Sequence, residues 1–200
     1  PQASSMSSAT YRRAVETAAE ALGERAPAFR FVESWHDQPR FVEALAAATR
    51  EALARFPDPT GVRVLFTAHS LPARIAGAGD PYPAELARTA ALVAGRLGLP
   101  EHGFAYQSAG RTDEAWLGPD LRDEIRRLAA EGVGELVVCP VGFVADHLEV
   151  LYDIDIEAQA VARAAGVRLE RARSMNADPT FIAGIADLVE GALPVEAVRR

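Results

Sequence analysis

Apolar residues along this chain fall into short runs of Val, Leu, Ile and Phe, separated by longer stretches with helical spacing. The short runs predict strands at Phe29–Trp35, Arg63–His69, Gly103–Gln107, Glu135–Phe143 and Val167–Arg173. Helices are expected between them, at about Ala9–Leu22, Pro39–Phe56, Pro83–Leu97, Pro119–Glu131, Asp146–Ala165 and Pro179–Ala192. The ends of these segments carry matching chemistry. Gly23, Gly98, Gly132 and Gly166 each follow a helical pattern, where a left-handed closing residue is favoured. Pro39, Pro83, Pro119 and Pro179 suit a first turn, and Asp178 can cap the helix that Pro179 begins. Strands alternating with helices imply an α/β fold, a parallel sheet with helices on both faces. With no repeat, low-complexity tract or linker, and with Pro57–Asp58–Pro59 read as an internal turn, residues 1–200 are expected to form one domain.

Parallel sheets of this kind take ligands outside the carboxyl ends of their strands, and that rule selects residues. One predicted strand ends at His69, the next runs into Gln107 and Ser108, and the next leads through a Gly-containing turn into a helix. That helix carries His147, Glu149, Asp153, Asp155 and Glu157. Glu149, Asp153 and Glu157 stand four residues apart, on one helical face. Like charges at this spacing cost about 0.2–0.5 kcal/mol per pair, so the ladder has to be fully solvated or has a cation to hold. It adjoins aliphatic residues and follows a buried strand, which favours the cation.

Blander readings compete. A His at a strand end is commonly a hydrogen-bonded structural residue, and an acidic ladder is commonly a solvated face; finding both on one rim is the sharper coincidence. Cys139, among apolar residues, reads as a small core side chain. His36 and His102 receive no role. Arg122, Arg126 and Arg127 read as solvent-facing, and Trp116 either caps the core or floors a pocket.

Composition narrows the classes. Among 200 residues, 49% are hydrophobic and 24% charged, ordinary for a globular protein. A net charge of −7 and a pI near 5.2 argue against nucleic acid and against anionic membrane as partners. The single Cys excludes an internal disulfide framework and any multi-Cys zinc or iron–sulfur cage within the segment. No apolar run approaches the roughly 18 residues of a membrane span, and no signal peptide is expected. A reducing cytoplasm is the expected compartment. The first residue is Pro1 rather than Met, which reads as a piece of something longer.

Several motifs then occur together: FTAHSLP at 66–72, GDPYP at 79–83, QS at 107–108, WLGPD at 116–120 and VGFVADHLEVLYDIDIE at 141–157. With ESWHDQPRF at 33–41, NADPTFI at 176–182 and PQASSMSSATY at 1–11, they resemble the ferrochelatase family over essentially the whole chain, most of all its bacterial coproporphyrin type. The resemblance implies a Rossmann-like, chelatase-type sheet and the C-terminal part of a protein whose N-terminal half would complete the porphyrin cleft. It implies that His69 and Glu149 face each other and bind ferrous iron, that Asp153 and Glu157 form an outer cation site, and that Tyr11 lies against the macrocycle. Gln107, Ser108 and Trp116 match cleft-lining positions. Ala3 stands where Tyr is common and Tyr106 where Trp is common, which leaves cleft shape open.

The activity so implied is a lyase reaction of haem biosynthesis: insertion of ferrous iron into a porphyrin, coproporphyrin III favoured over protoporphyrin IX. The iron is substrate, no further cofactor is expected, and no iron–sulfur cluster is expected in this segment. Relatives suggest a monomer with peripheral or no membrane association. Two alternatives stay open at this point, a cobalt or nickel chelatase of the same fold and a non-catalytic haem- or metal-binding module. The isolated 200 residues are expected to bind divalent metal weakly and insert it poorly.

Overall fold

The computed structural model describes residues 1–193. Four strands form one sheet: β1 (Arg63–His69), β2 (Gly103–Gln107), β3 (Glu135–Cys139) and β4 (Arg168–Arg171). Their order is β2-β1-β3-β4 and every pairing is parallel. The helices are α1 (Ser8–Leu22), α2 (Pro39–Leu53), the single turn α3 (Arg74–Gly77), α4 (Tyr82–Leu97), α5 (Leu121–Ala130), α6 (Leu148–Val150), a π-helix (Leu151–Ala158), α7 (Gln159–Ala164) and α8 (Pro179–Ala192).

Side-chain alternation along each strand divides the interior in two. Val64, Phe66 and Ala68 of β1 and Val137 and Cys139 of β3 pack with α2, α4 and Phe181 of α8. Leu65 of β1, Ala105 of β2 and Leu136 and Val138 of β3 pack with α5, the π-helix and α7. Polar side chains cap α2, α5 and α8. Gln38 accepts from the Phe41 amide at 2.8 Å, Asp120 from Arg122 at 2.8 Å, and Asp178 from Thr180 at 2.9 Å. Gly98 closes α4 at φ 66, a left-handed turn that disfavours a Cβ.

Three expectations need correction. Phe29–Trp35 forms no strand: the Trp35 N–H bonds the Pro1 carbonyl at 2.9 Å rather than a sheet neighbour, and Phe29, Phe31 and Val32 stay exposed. The strand expected to reach Phe143 stops at Cys139, since Pro140 has no N–H to donate and the chain turns there, Phe143 N bonding Pro140 O at 3.1 Å. The helix expected from Asp146 to Ala165 begins at Leu148, and its centre is a π-helix rather than α. Smaller shifts are that α5 starts at Leu121, with Pro119 outside it, and that α2 ends at Leu53.

Candidate metal site at the carboxyl rim

Neighbouring strands β1 and β3 send their connections to opposite faces: β1 leads to α3 and α4, β3 to α6 and the π-helix. Such a divergence opens a crevice at the carboxyl end of the sheet. His69 is the last residue of β1, and Glu149 lies in the single turn just before the π-helix. The two side chains meet there, His69 Nε2 standing 3.6 Å from Glu149 Oε1. Both are partly exposed, at 32% and 49% of the side chain, so a ligand can reach them.

The imidazole is oriented from behind. Its Nδ1 lies against the Ser70 carbonyl, which only accepts, so Nδ1 donates there and Nε2 is the ring nitrogen left to face Glu149. Tyr82, inside the GDPYP motif, donates its hydroxyl to the His69 carbonyl at 3.0 Å, and burial pushes that phenol upward, keeping it a donor. The gap has the size an ion needs. Two ligand atoms about 2.1 Å from one cation at a tetrahedral angle stand about 3.4 Å apart. A pair at 3.6 Å is close to that, with the remaining positions open.

The acidic ladder is more constrained than its spacing alone suggests. A four-residue step overshoots an α-turn and falls slightly short of a π-turn of roughly 4.4 residues, so Glu149, Asp153 and Glu157 stay near one line. Each carboxylate beyond Glu149 has a partner. Ser108 donates to Asp153, Arg122 reaches Glu157 at 3.2 Å, and Arg171 forks onto Asp155 at 2.8 and 3.0 Å. Among the described residues no three His, Cys, Asp or Glu side chains gather into a metal cage. Partnered acids offset their mutual repulsion without closing around an ion, and His69–Glu149 remains the open pair.

The other candidates occupy separate places. Gln107 and Ser108 line a polar cavity of about 220 Å³ with Asp153 and Glu157. Tyr11, 74% exposed, lines a different cavity of about 620 Å³ with Phe31, Val32 and Asp80, which includes neither His69 nor Glu149. Trp116 packs its ring on Gly110 and donates to Thr112 at 2.9 Å, in the loop between β2 and α5. Cys139 is buried in the core, its thiol pushed up to about 12 by burial. His102 meets Phe66 edge to face, ring centres 5.4 Å apart, and His36 bonds Ser34 at 2.8 Å.

Sequence reasoning missed the supporting residues. Arg122, Arg126 and Arg127 face solvent as expected; what was missed is that Arg122 also bonds Asp120 and Glu157, while Arg126 and Arg127 pair with acids on their own helix. The Asp146–Asn176 contact and Arg171 were also unmarked, because their partners are about 30 and 16 residues away in the chain. Tyr82, Asp146 and Asn176 did carry a visible signal, each standing within one of the family-like motifs.

Fold and site thus define a class: a doubly wound parallel α/β protein presenting an open His–carboxylate pair at its switch point. The Ferrochelatase family model matches residues 1–193, and the chain belongs to that family. It is similar to the ferrochelatase of Thermus thermophilus, 48% identical over 97% of this chain and 61% of the relative. It is also similar to the ferrochelatase of Herpetosiphon aurantiacus, at 45% over 96% of this chain and 63% of the relative. The coproporphyrin III ferrochelatase of a Geobacillus species is 41% identical over 94% of this chain and 61% of that protein. The chain therefore spans about three fifths of the length of these relatives.

Proposed function

We propose that this chain supplies the metal-handling part of an enzyme that inserts ferrous iron into a porphyrin, coproporphyrin III being favoured. The observation that carries the reading is the 3.6 Å gap between His69 Nε2 and Glu149 Oε1 at the mouth of the sheet. Membership of the family and the names of its relatives support it, and the coproporphyrin III preference rests on relatives such as that of Geobacillus.

The chemistry asks for few ligands. Ferrous iron has to shed water, and each iron inserted releases two pyrrole protons from the macrocycle. A neutral imidazole suits a borderline ion, and a carboxylate adds charge. The same two groups can take the released protons and pass them to solvent. An open pair binds the ion without holding it back from the porphyrin nitrogens, where a closed cage would compete with them. Asp153 and Glu157 are read as an outer stopping place, each balanced by Ser108 or Arg122 so that neither binds the ion tightly. Tyr11, Trp116, Ser108 and Gln107 are read as bordering the ring. The reading includes a cytoplasmic monomer with no more than peripheral membrane contact. Among the described residues no helix is long and apolar enough to cross a membrane.

The test is anaerobic insertion kinetics on the protein carrying this chain in its full length, with coproporphyrin III and protoporphyrin IX in parallel. His69→Ala and Glu149→Gln should each lower turnover by about a hundredfold or more, the scale of a lost proton-transfer group. Turnover that survives both substitutions would remove the reading.

A further inference from the structure

Among the described residues, three buried side-chain atoms have no hydrogen-bond partner: Thr67 Oγ1 and both amide atoms of Gln107. They share a location. Thr67 lies two residues before His69 on β1, which puts both on one face of the sheet. Gln107 is the parallel register partner of His69, so its side chain leaves from the same face. That face looks toward the π-helix. Gln107 is only 3% exposed, and it lines the polar cavity of about 220 Å³ that Ser108, Asp153, Glu157 and Arg122 complete.

An orphaned amide in a polar chamber calls for a partner that the protein does not supply. Water occupies about 30 Å³ in the liquid, so the chamber has room for several molecules. A carboxamide both donates and accepts. It can hold water beside the acids without adding a charge that would trap a cation there.

We propose that Gln107 is a positioning residue for the metal. Its carboxamide, with the Thr67 hydroxyl, anchors ordered water on the His69 face of the sheet, and that water hydrogen-bonds the hydration shell of a divalent cation between Asp153 and Glu149. The inference rests on the metal-insertion reading above and moves Gln107 from the ring side of the site to the ion side.

Cobalt(II) alone is the probe, titrated into the protein by calorimetry and visible absorption, alongside Gln107→Met, Gln107→Glu and Thr67→Val. Gln107→Met should weaken cobalt binding about tenfold, the scale seen when an outer hydrogen-bond partner is lost. Its Tm should hold, since Met nearly keeps the volume of the buried side chain. In insertion assays its KM for ferrous iron should rise by a similar factor while its KM for porphyrin stays put. Gln107→Glu, which keeps an acceptor, should retain cobalt binding, and Thr67→Val should lose part of it. Unaltered cobalt affinity in Gln107→Met would overturn the inference, as would a change confined to the porphyrin KM or no cobalt binding by the parent protein. Should Gln107→Met fail to fold, an unaltered affinity in Thr67→Val overturns it equally. The His69→Ala arm separates the two readings. If it abolishes insertion while Gln107→Met binds cobalt normally, only the role of Gln107 falls; if insertion survives it, the proposed function falls instead.

Discussion

His69 and Glu149 face each other across 3.6 Å although 80 residues separate them, because β1 and β3 are neighbours whose connections diverge. The pair is partly exposed on both sides, and an ion pair in that setting contributes only about 0–1 kcal/mol. Its placement is therefore poorly explained as a stabilising contact. An imidazole held at Nδ1 by the Ser70 carbonyl, on backbone held by Tyr82, with Nε2 turned to a carboxylate, is better explained as a held geometry awaiting a ligand.

Glu149→Gln should accordingly separate stability from function. Removing the charge while keeping the shape is expected to change unfolding free energy by less than about 0.5 kcal/mol, as for most exposed substitutions. Cobalt binding should fall in the same variant. Urea denaturation beside a cobalt titration checks both, and a variant that lost stability and binding together would mean that Glu149 braces the turn.

The turn after β3 is held close to β1, and Gly142 makes that possible. A Cβ at position 142 would sit 2.6 Å from Ala68 Cβ and 3.0 Å from Ala68 Cα, nearer than real side chains approach. Gly142→Ala should cost about 1–3 kcal/mol, the range for overpacking a filled core. Because this turn feeds the segment bearing Glu149, activity should fall further than stability alone accounts for. Thermal unfolding compared with turnover at a temperature well below Tm tests the point.

Much of this architecture was legible in the chain. The spans of β1 and β2 follow from runs of apolar and aromatic residues bounded by polar turns, and α8 follows from its Asp178–Pro179 start. The meeting of His69 and Glu149 was legible through the switch-point rule once both were placed after strands. Local patterning misleads where partners decide. Phe29–Trp35 has strand-like residues but no ladder, and residues 151–158 have helical spacing compatible with either α or π. The pairing of Asp153 with Ser108, and of Glu157 with Arg122, depends on how the π-helix sits over the end of β2 and α5. No periodicity in one segment reports that.

The loop leading to Glu149 is anchored by Asn176, and this anchor titrates. Asn176 accepts from the Asp146 amide at 2.9 Å, donates to the Asp146 carboxylate at 2.9 Å, and bonds the Val144 carbonyl through its own N–H at 2.9 Å. The Asn176 amide, with help from Ser174 and Arg171, holds the Asp146 carboxyl below the usual carboxylate range despite some burial that acts the other way. A depressed carboxyl stabilises the fold at pH values above its unfolded pKa, and the contribution is lost as pH falls through the folded value. Asn176 also sits at φ 48, a left-handed conformation that Asn tolerates and Ala does not. Asn176→Gly, which keeps the backbone free, should be less stable by about 1 kcal/mol near neutral pH, the worth of the lost side-chain bonds. That deficit should narrow in acid, as Asp146 of the parent protein begins to take up its proton. Asn176→Ala should fall lower still, by about 1 kcal/mol more for the strained φ, and should keep that extra loss at every pH. Unfolding free energies of the three proteins measured from neutral pH down to about pH 3, through the carboxylate range, decide the matter. A gap that stays constant with pH for Asn176→Gly would show that the carboxylate contact contributes nothing and that Asn176 acts through its backbone alone.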